Sequence, residues 1–367
     1  MSRQGRTCEA QRNDAGRRID RVLRRMHPTT PLSLLYRLLR TGAVRLNGAP
    51  TVPGARVWPG DRITLPASLS SAAAGAVQGA DEAAVAPCDR TASPARQIPA
   101  RFPTLVDNEH VFVTDKPAGV AVAGPVSERP LPLSHSLEPI LADLVPGSLS
   151  FRPVAVHRLD RICSGLLVYA KTIDAARDLT ALLRERRATK VYLVVVERTV
   201  HRPQVLQARL GYDATRRRAV IDRGAALLRA SLHPIGTVAG MTLAAVSTRT
   251  GRRHQVRALC ASAGMPLAGD RRYGSRRRRR PFLHAWLLCS GDPSLLRCTG
   301  ARWLEAPPEI ARLARHSADW ERAAFTLRAR YIDCRYLDDV DSNPGASPDV
   351  AAARRARHRA HRPQRHR

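Results

Sequence analysis

Among the residues whose types could do chemistry, Asp160 is the most informative. It lies in the stretch HRLDRICSGLLVYAKT, from His157 to Thr172, with Arg158 and Arg161 on either side. A carboxylate on a loop among arginines suits a nucleophile working on nucleic acid. It equally suits a plain ion pair with Arg158 or Arg161, and residue type alone leaves both open. His157 and His254 could do acid–base work, although a lone histidine is more often a structural group. Cys163 has no base paired with it in sequence, so a thiolate nucleophile is not expected there.

The elements that must hold Asp160 follow from periodicity. Ser164 to Lys171 is an apolar run bounded by polar residues, which predicts a buried strand with Asp160 on the loop entering it. Val111 to Val113 predicts a short strand leading into the turn Lys116-Pro117-Ala118-Gly119. Asp174 is placed to cap a helix whose Ala176, Leu179 and Leu183 share a face, and Lys190 to Val196 predicts a core strand. Further strands are expected near 205–211, 217–222, 242–248 and 282–288. A helix is expected from Arg253 to Ala263, closed by Gly264, and another from Pro307-Pro308 through Leu313.

A second pattern precedes this one. Ile19, Val22, Leu23 and Met26 form a helical stripe, and Thr30 and Pro31 can open a second helix, carrying Leu34, Leu35, Leu38 and Leu39, that Gly42 can end. Val44 to Leu46, the turn Asn47-Gly48 and Arg62 to Leu65 predict a small sheet. Residues 17–66 therefore make one unit, and 103–319 a larger one of α+β class with a mixed or antiparallel sheet. Residues 1–16 lack a core pattern and are expected to be unstructured. The Ala, Ser, Gly and Pro-rich segment 67–102 reads as a flexible linker, and 320–367 as a basic tail.

The chain has 367 residues, 61 basic against 31 acidic, for a net charge of +30. Such a field gathers polyanions, so RNA or DNA is the leading partner class. Arg37 and Arg40 share a helix face, with Arg45 just beyond, a cationic surface suited to phosphates. No run of about 18 apolar residues is present, which argues against a membrane span. Seven scattered cysteines without a C-x-x-C pair point to a reducing, cytoplasmic setting and offer no metal site. Only Lys116, Lys171 and Lys190 are lysines; the rest of the basic charge is arginine.

Four segments, KPAG at Lys116, HRLD at His157, KVYLVVVE at Lys190 and TGRRHQVRALCASAGMPLAGDRRYGS from Thr250, occur in an order that resembles the RluA family of pseudouridine synthases. The likeness runs from about Arg17 to Leu313. The amino-terminal unit looks like the small αL-type RNA-binding domain shared with ribosomal protein S-four. Within the family, the phrases RRIDRVL, LLYRLLRTGAVRLNG and PGDRITLP are most similar to members that modify large-subunit ribosomal RNA.

The resemblance implies isomerisation of uridine without a metal or organic cofactor, by a monomer acting on RNA. It casts Asp160 as the essential carboxylate, attacking the anomeric carbon or assisting a glycal intermediate, with Tyr192 stacking on the base and Arg257 pairing with Asp160. By the same likeness Arg158 fills the gap left by a flipped uridine, His254 contacts RNA or is structural, and Lys116, Pro117 and Gly119 hold loop geometry. Three departures from the family pattern stand out: Cys163 and Arg253 where threonine is usual, and Ala258-Leu259-Cys260 for Val-His-Leu. Retention of the scaffold as a non-catalytic RNA-binding factor, or action on transfer RNA, are the alternatives.

Overall fold

Alternation of apolar side chains makes the strand Ser164–Ala170 bury both of its faces. Leu166, Val168 and Ala170 enter one core cluster and Leu167 and Tyr169 the other. The cluster on the second face extends through Leu133, Leu137 and Leu141 to Val256, Leu259 and Cys260 of the helix Gln255–Ser262, which packs on Gln204–Asp213 and Leu227–Val238. The helices Ile173–Arg184 and Pro293–Thr299 cover the first. A sheet protected on both sides explains why this strand reads as a continuous apolar run.

The computed structural model describes residues 6–71, 98–145, 148–238, 240–278, 280–301 and 303–306. Its main sheet runs, edge to edge, Arg218–Ile221, Gln204–Asp213, Leu227–Val238, Met241–Thr248, Thr189–Val196, Leu283–Cys289, Ser164–Ala170, Val111–Lys116 and Thr104–Asp107. Neighbours are antiparallel except Ser164–Ala170 and Leu283–Cys289, which run parallel and pair at only Ser164↔His284 and Gly165↔Ala285. Farther along, Ser164–Ala170 takes Val154–Ala155 as its antiparallel neighbour instead. The segment 156–163, which carries Asp160, is the wide loop joining those two strands.

Two elements here differ from expectation. Leu227–Val238 is a long strand in a stretch that shows no clean alternation, because Pro234 and Gly236 interrupt it, and its pairing with Met241–Thr248 shifts register between them. Thr172, rather than Asp174, caps the following helix by accepting the Ala175 N–H at 3.2 Å. The buried face accordingly uses Ile173, Ala175, Leu179 and Leu182.

The amino-terminal unit packs the helices Ile19–Met26 and Leu32–Arg40 on a four-stranded antiparallel sheet, with Val22, Leu23, Leu35, Leu39, Ile63 and Leu65 in its core. Pro31 stands at the N-cap of the second helix without a side-chain cap, so Thr30 does not play that part. Asn47 and Gly48 both have positive φ, 54° and 80°, and join Arg45–Leu46 to Ala49–Pro50 as a tight hairpin.

The expectation that residues 1–16 are unstructured is corrected for 6–16. Arg6–Glu9 pairs in register with Arg62–Leu65, an order supplied by backbone pairing rather than by any apolar pattern in RTCE. The linker is also shorter than 67–102. Leu69, in the helix Ala67–Ser71, enters the small core, and Phe102 is buried in the large one. Residues 72–97, the tail 320–367 and the helix expected after Pro307 lie outside the described residues.

Residues 13–15 dock this unit onto the larger one. The buried Asp14 carboxylate accepts the N–H groups of Leu149 and Ser150 at 3.0 and 2.9 Å and the hydroxyls of Ser148 and Ser150 at 2.8 and 2.7 Å. It also accepts the Gln11 N–H at 3.0 Å. Asn13 accepts the Ile173 N–H and Arg177 donates to the Ala15 carbonyl. Burial pushes the Asp14 carboxyl up, but these hydrogen bonds outweigh it and hold it below its ordinary value of 3.8.

The docking energy from Asp14 is therefore present above that value and is lost only as the pH falls through the lowered folded one. At neutral pH, Asp14→Ala is expected to cost about 1.5–3 kcal/mol. Hydrogen exchange should show protection falling together at residues 11–16 and 148–151; unchanged protection would show that Asp14 does not hold the units together.

Candidate active site

The loop that carries Asp160 is tied at both ends. At its start, the Val156 N–H donates to the Val168 carbonyl, and His157 Nε2 accepts the Val168 N–H at 3.2 Å. Burial, followed by the charge of Lys190, pushes His157 down to about 3, so it stays neutral and serves as a backbone acceptor. Leu159 is buried in the core, and a turn closes with the Cys163 N–H donating to the Asp160 carbonyl at 3.0 Å.

At its end the loop is clamped to the Lys116-Pro117-Ala118-Gly119 turn. The Gly119 N–H donates to the Arg161 carbonyl at 2.7 Å, and Arg161 Nε donates back to the Gly119 carbonyl at 2.9 Å. The same guanidinium reaches Glu128 and the Arg129 carbonyl. Lys116 is wholly buried, its ammonium donating to the carbonyls of Pro117 and Val120 at 2.9 and 2.8 Å. Gly165 is the only residue type that fits its position, because a Cβ there would lie 2.2 Å from the Ala285 carbonyl oxygen and its φ is 107°.

Arg161 is thus occupied by loop carbonyls and Glu128. Asp160 pairs instead with Arg257, from 97 residues farther along the chain, Nη1 to Oδ2 at 3.5 Å. The neighbouring-arginine alternative falls. Arg257 has a stronger partner that sequence did not single out: Asp270 takes Nε at 2.6 Å and Nη2 at 2.9 Å, a bidentate pair in which both residues are buried. Burial opposes the Arg257 charge, but the Asp270 bond and the fields of both carboxylates raise its pKa on balance. Its guanidinium also lies over the Tyr273 ring at 4.9 Å.

Tyr192 enters the site from Thr189–Val196, where the pairing with Leu283–Cys289 slips register between Val191 and Tyr192. Such a bulge re-aims side chains. Burial, then the Cys163 and Asp160 charges, pushes its phenol well above the ordinary range, so the ring is neutral at pH 7. Cys163 is buried, with its thiol pushed up to about 12 by burial, and donates to the Ser164 carbonyl at 3.2 Å. It is no thiolate at neutral pH.

Asp160, Cys163 and Tyr192 line a cleft of about 310 Å³, within the range of small-molecule sites, together with Arg158, Lys190, Arg253 and His254, with Arg257 behind it. Arg158 is exposed at the cleft. His254 is mostly buried, its Nδ1 3.0 Å from the Tyr273 hydroxyl, and burial holds it down to about 4. It both packs against Tyr273 and lines the cleft. Arg37, Arg40 and Arg45 are exposed on the amino-terminal unit and are not part of this cleft.

The family model described as RNA pseudouridylate synthase matches residues 110–262, which span the Asp160 loop, Tyr192 and Arg257. The ribosomal large subunit pseudouridine synthase C of Escherichia coli K12 is 32% identical over 288 residues, covering 74% of this chain and 81% of that protein. The chain belongs to the RluA family of RNA pseudouridine synthases. Ribosomal large subunit pseudouridine synthase D of Nitrosomonas europaea is 30% identical over 291 residues, 75% of the synthase described here and 77% of its relative. Among solved structures, human RNA pseudouridylate synthase domain containing 4 matches 61% of this chain and 92% of its own, at 22% identity and a TM-score of 0.44. The synthase is accordingly an isomerase.

Within the synthase, Asp270→Ala would leave Arg257 buried without its bidentate partner, a loss expected to cost about 3–5 kcal/mol in urea unfolding. A cost below about 1 kcal/mol would show that Asp160 alone can hold the guanidinium.

Proposed function

We propose that this synthase isomerises uridines in large-subunit ribosomal RNA, with Asp160 as the essential carboxylate. The observation that carries the assignment is the single half-buried carboxylate on a clamped loop, paired at 3.5 Å with a guanidinium that Asp270 already fixes. Isomerisation breaks the N1–C1′ bond, turns the uracil and joins C5 to C1′; the C5 proton leaves and N1 gains one, so nothing is oxidised or reduced. An ionised, oriented carboxylate can attack C1′ or assist a glycal route.

Tyr192, as a neutral ring beside the carboxylate, supplies a stacking surface for the detached uracil rather than a phenolate base. Arg158, exposed at the cleft, is placed to fill the stack vacated by the flipped uridine. Lys116, Pro117 and Gly119 act through the loop they clamp. The exposed Arg37, Arg40 and Arg45 give the amino-terminal unit an RNA-contacting face, and the names of the ribosomal relatives favour a ribosomal target for the two units acting together as a monomer in the cytoplasm.

The test is to map pseudouridines in large-subunit ribosomal RNA treated with the chain or with Asp160→Asn. Conversion at one or a few sites should fall roughly 10⁴-fold or more with the substitution while folding is retained. Equal conversion by Asp160→Asn would refute the carboxylate's role, and conversion confined to transfer RNA would refute the ribosomal target.

A further inference from the structure

The rim of the cleft carries a run of contacting rings and guanidinium groups whose outer members this chemistry leaves unused. Arg253 is exposed and lines the cleft, its guanidinium carbon 4.5 Å from the centroid of the Tyr212 ring. Tyr212, on Gln204–Asp213, is itself 38% exposed and meets His254 edge-on, with ring centroids 6.3 Å apart. His254 meets Tyr273 at 5.8 Å, and Tyr273 underlies Arg257. A continuous series of rings and guanidinium groups therefore runs from the partner of Asp160 to the surface.

Its inner members are buried or hydrogen-bonded. The Tyr273 hydroxyl accepts the Ala219 N–H at 2.8 Å and faces His254 Nδ1. His254 has a left-handed φ of 57°, a turn that sends its own side chain inward while Arg253 remains at the rim. Arg253, the outermost member, has no hydrogen-bond or ion-pair partner among the described residues. Asp213, next to Tyr212, is taken by Arg216. A guanidinium held over an aromatic ring, with no partner for its N–H groups, is a preorganised surface for another planar group.

When a uridine is flipped, two bases flank the gap, and the one that does not stack on Arg158 is left without a partner. We propose that the Arg253–Tyr212 pair receives that neighbouring base as a stacking platform and so holds the strand beside the modified uridine. The guanidinium face replaces the lost stacking contact, and its N–H groups, directed sideways from that contact, remain for the backbone of the same strand. Because Tyr273 packs against both His254 and Arg257, the position of the stack relative to Asp160 is fixed by contact. The proposal rests on the pseudouridine synthase assignment for its substrate.

The test uses the full chain and short single-stranded RNAs in which one uridine is flanked by guanosine, by an abasic site or by fluorescent 2-aminopurine. Binding should quench the 2-aminopurine, and Arg253→Thr or Tyr212→Ala should relieve the quench. Each should weaken binding about tenfold with guanosine but less than about twofold with the abasic RNA. Arg253→Lys keeps the charge while losing the plane, so it should behave as Arg253→Thr. Retained quenching, or full recovery by Arg253→Lys, would reduce Arg253 to a phosphate contact and overturn the proposal. On a large-subunit ribosomal RNA transcript, Arg253→Thr should raise KM with kcat kept. Guanosine-dependent binding without any pseudouridine formed would defeat the ribosomal target and leave the stack standing.

Discussion

The Arg257 guanidinium lies between two carboxylates of unequal claim, and the rest of the site depends on that inequality. Burying a guanidinium is costly unless its donors are satisfied. Asp270 satisfies Nε and Nη2 at 2.6 and 2.9 Å, which fixes the plane and leaves Nη1 facing Asp160 at 3.5 Å. A contact that long is at the limit of a hydrogen bond. It orients Asp160 without holding it as tightly as Asp270 is held. Had Asp160 been the bidentate partner, moving its carboxylate would first have to break a buried pair.

The opposite side of Asp160 is held by backbone rather than charge. Gly119 and Arg161 exchange a reciprocal pair of hydrogen bonds, and His157, kept neutral by burial, accepts from Val168. Gly165 then permits the close parallel contact with Ala285 where Leu283–Cys289 meets the strand after the loop. Two rigid supports therefore converge on a carboxylate that is itself only loosely bound. Such an arrangement fixes where the carboxylate sits in the cleft while committing it to one long contact.

The parts of this that were legible in sequence are the ones with local periodicity. Alternation or apolar runs gave the strands Ser164–Ala170 and Thr189–Val196, and the helical stripe gave Ile19–Met26. The role of Arg257 came through the family resemblance, since residue types alone equally allowed Asp160 to pair with Arg158 or Arg161. Asp270 was missed because its partner is 13 residues away across a loop, where no period links them. Arg161 was read as a neighbouring charge, yet it bonds carbonyls that fold back from 32 and 42 residues earlier. The strand Arg6–Glu9 shows the same limit, being ordered by a backbone pairing that its own composition does not announce.

One compositional signal did carry physical content. In a chain whose basic residues are otherwise arginine, each lysine occupies a place that suits a compact ammonium. Lys116 fits between two carbonyls where a planar fork would not, and Lys171 donates both to the Asp107 carboxylate and to the Asn108 carbonyl. Lys190 lies in the cleft against Gly251, where a Cβ would come within 2.6 Å of its nitrogen. Burial lowers both Lys116 and Lys190 to about 8, a change open to an ammonium but not to a guanidinium, which keeps its charge in the interior.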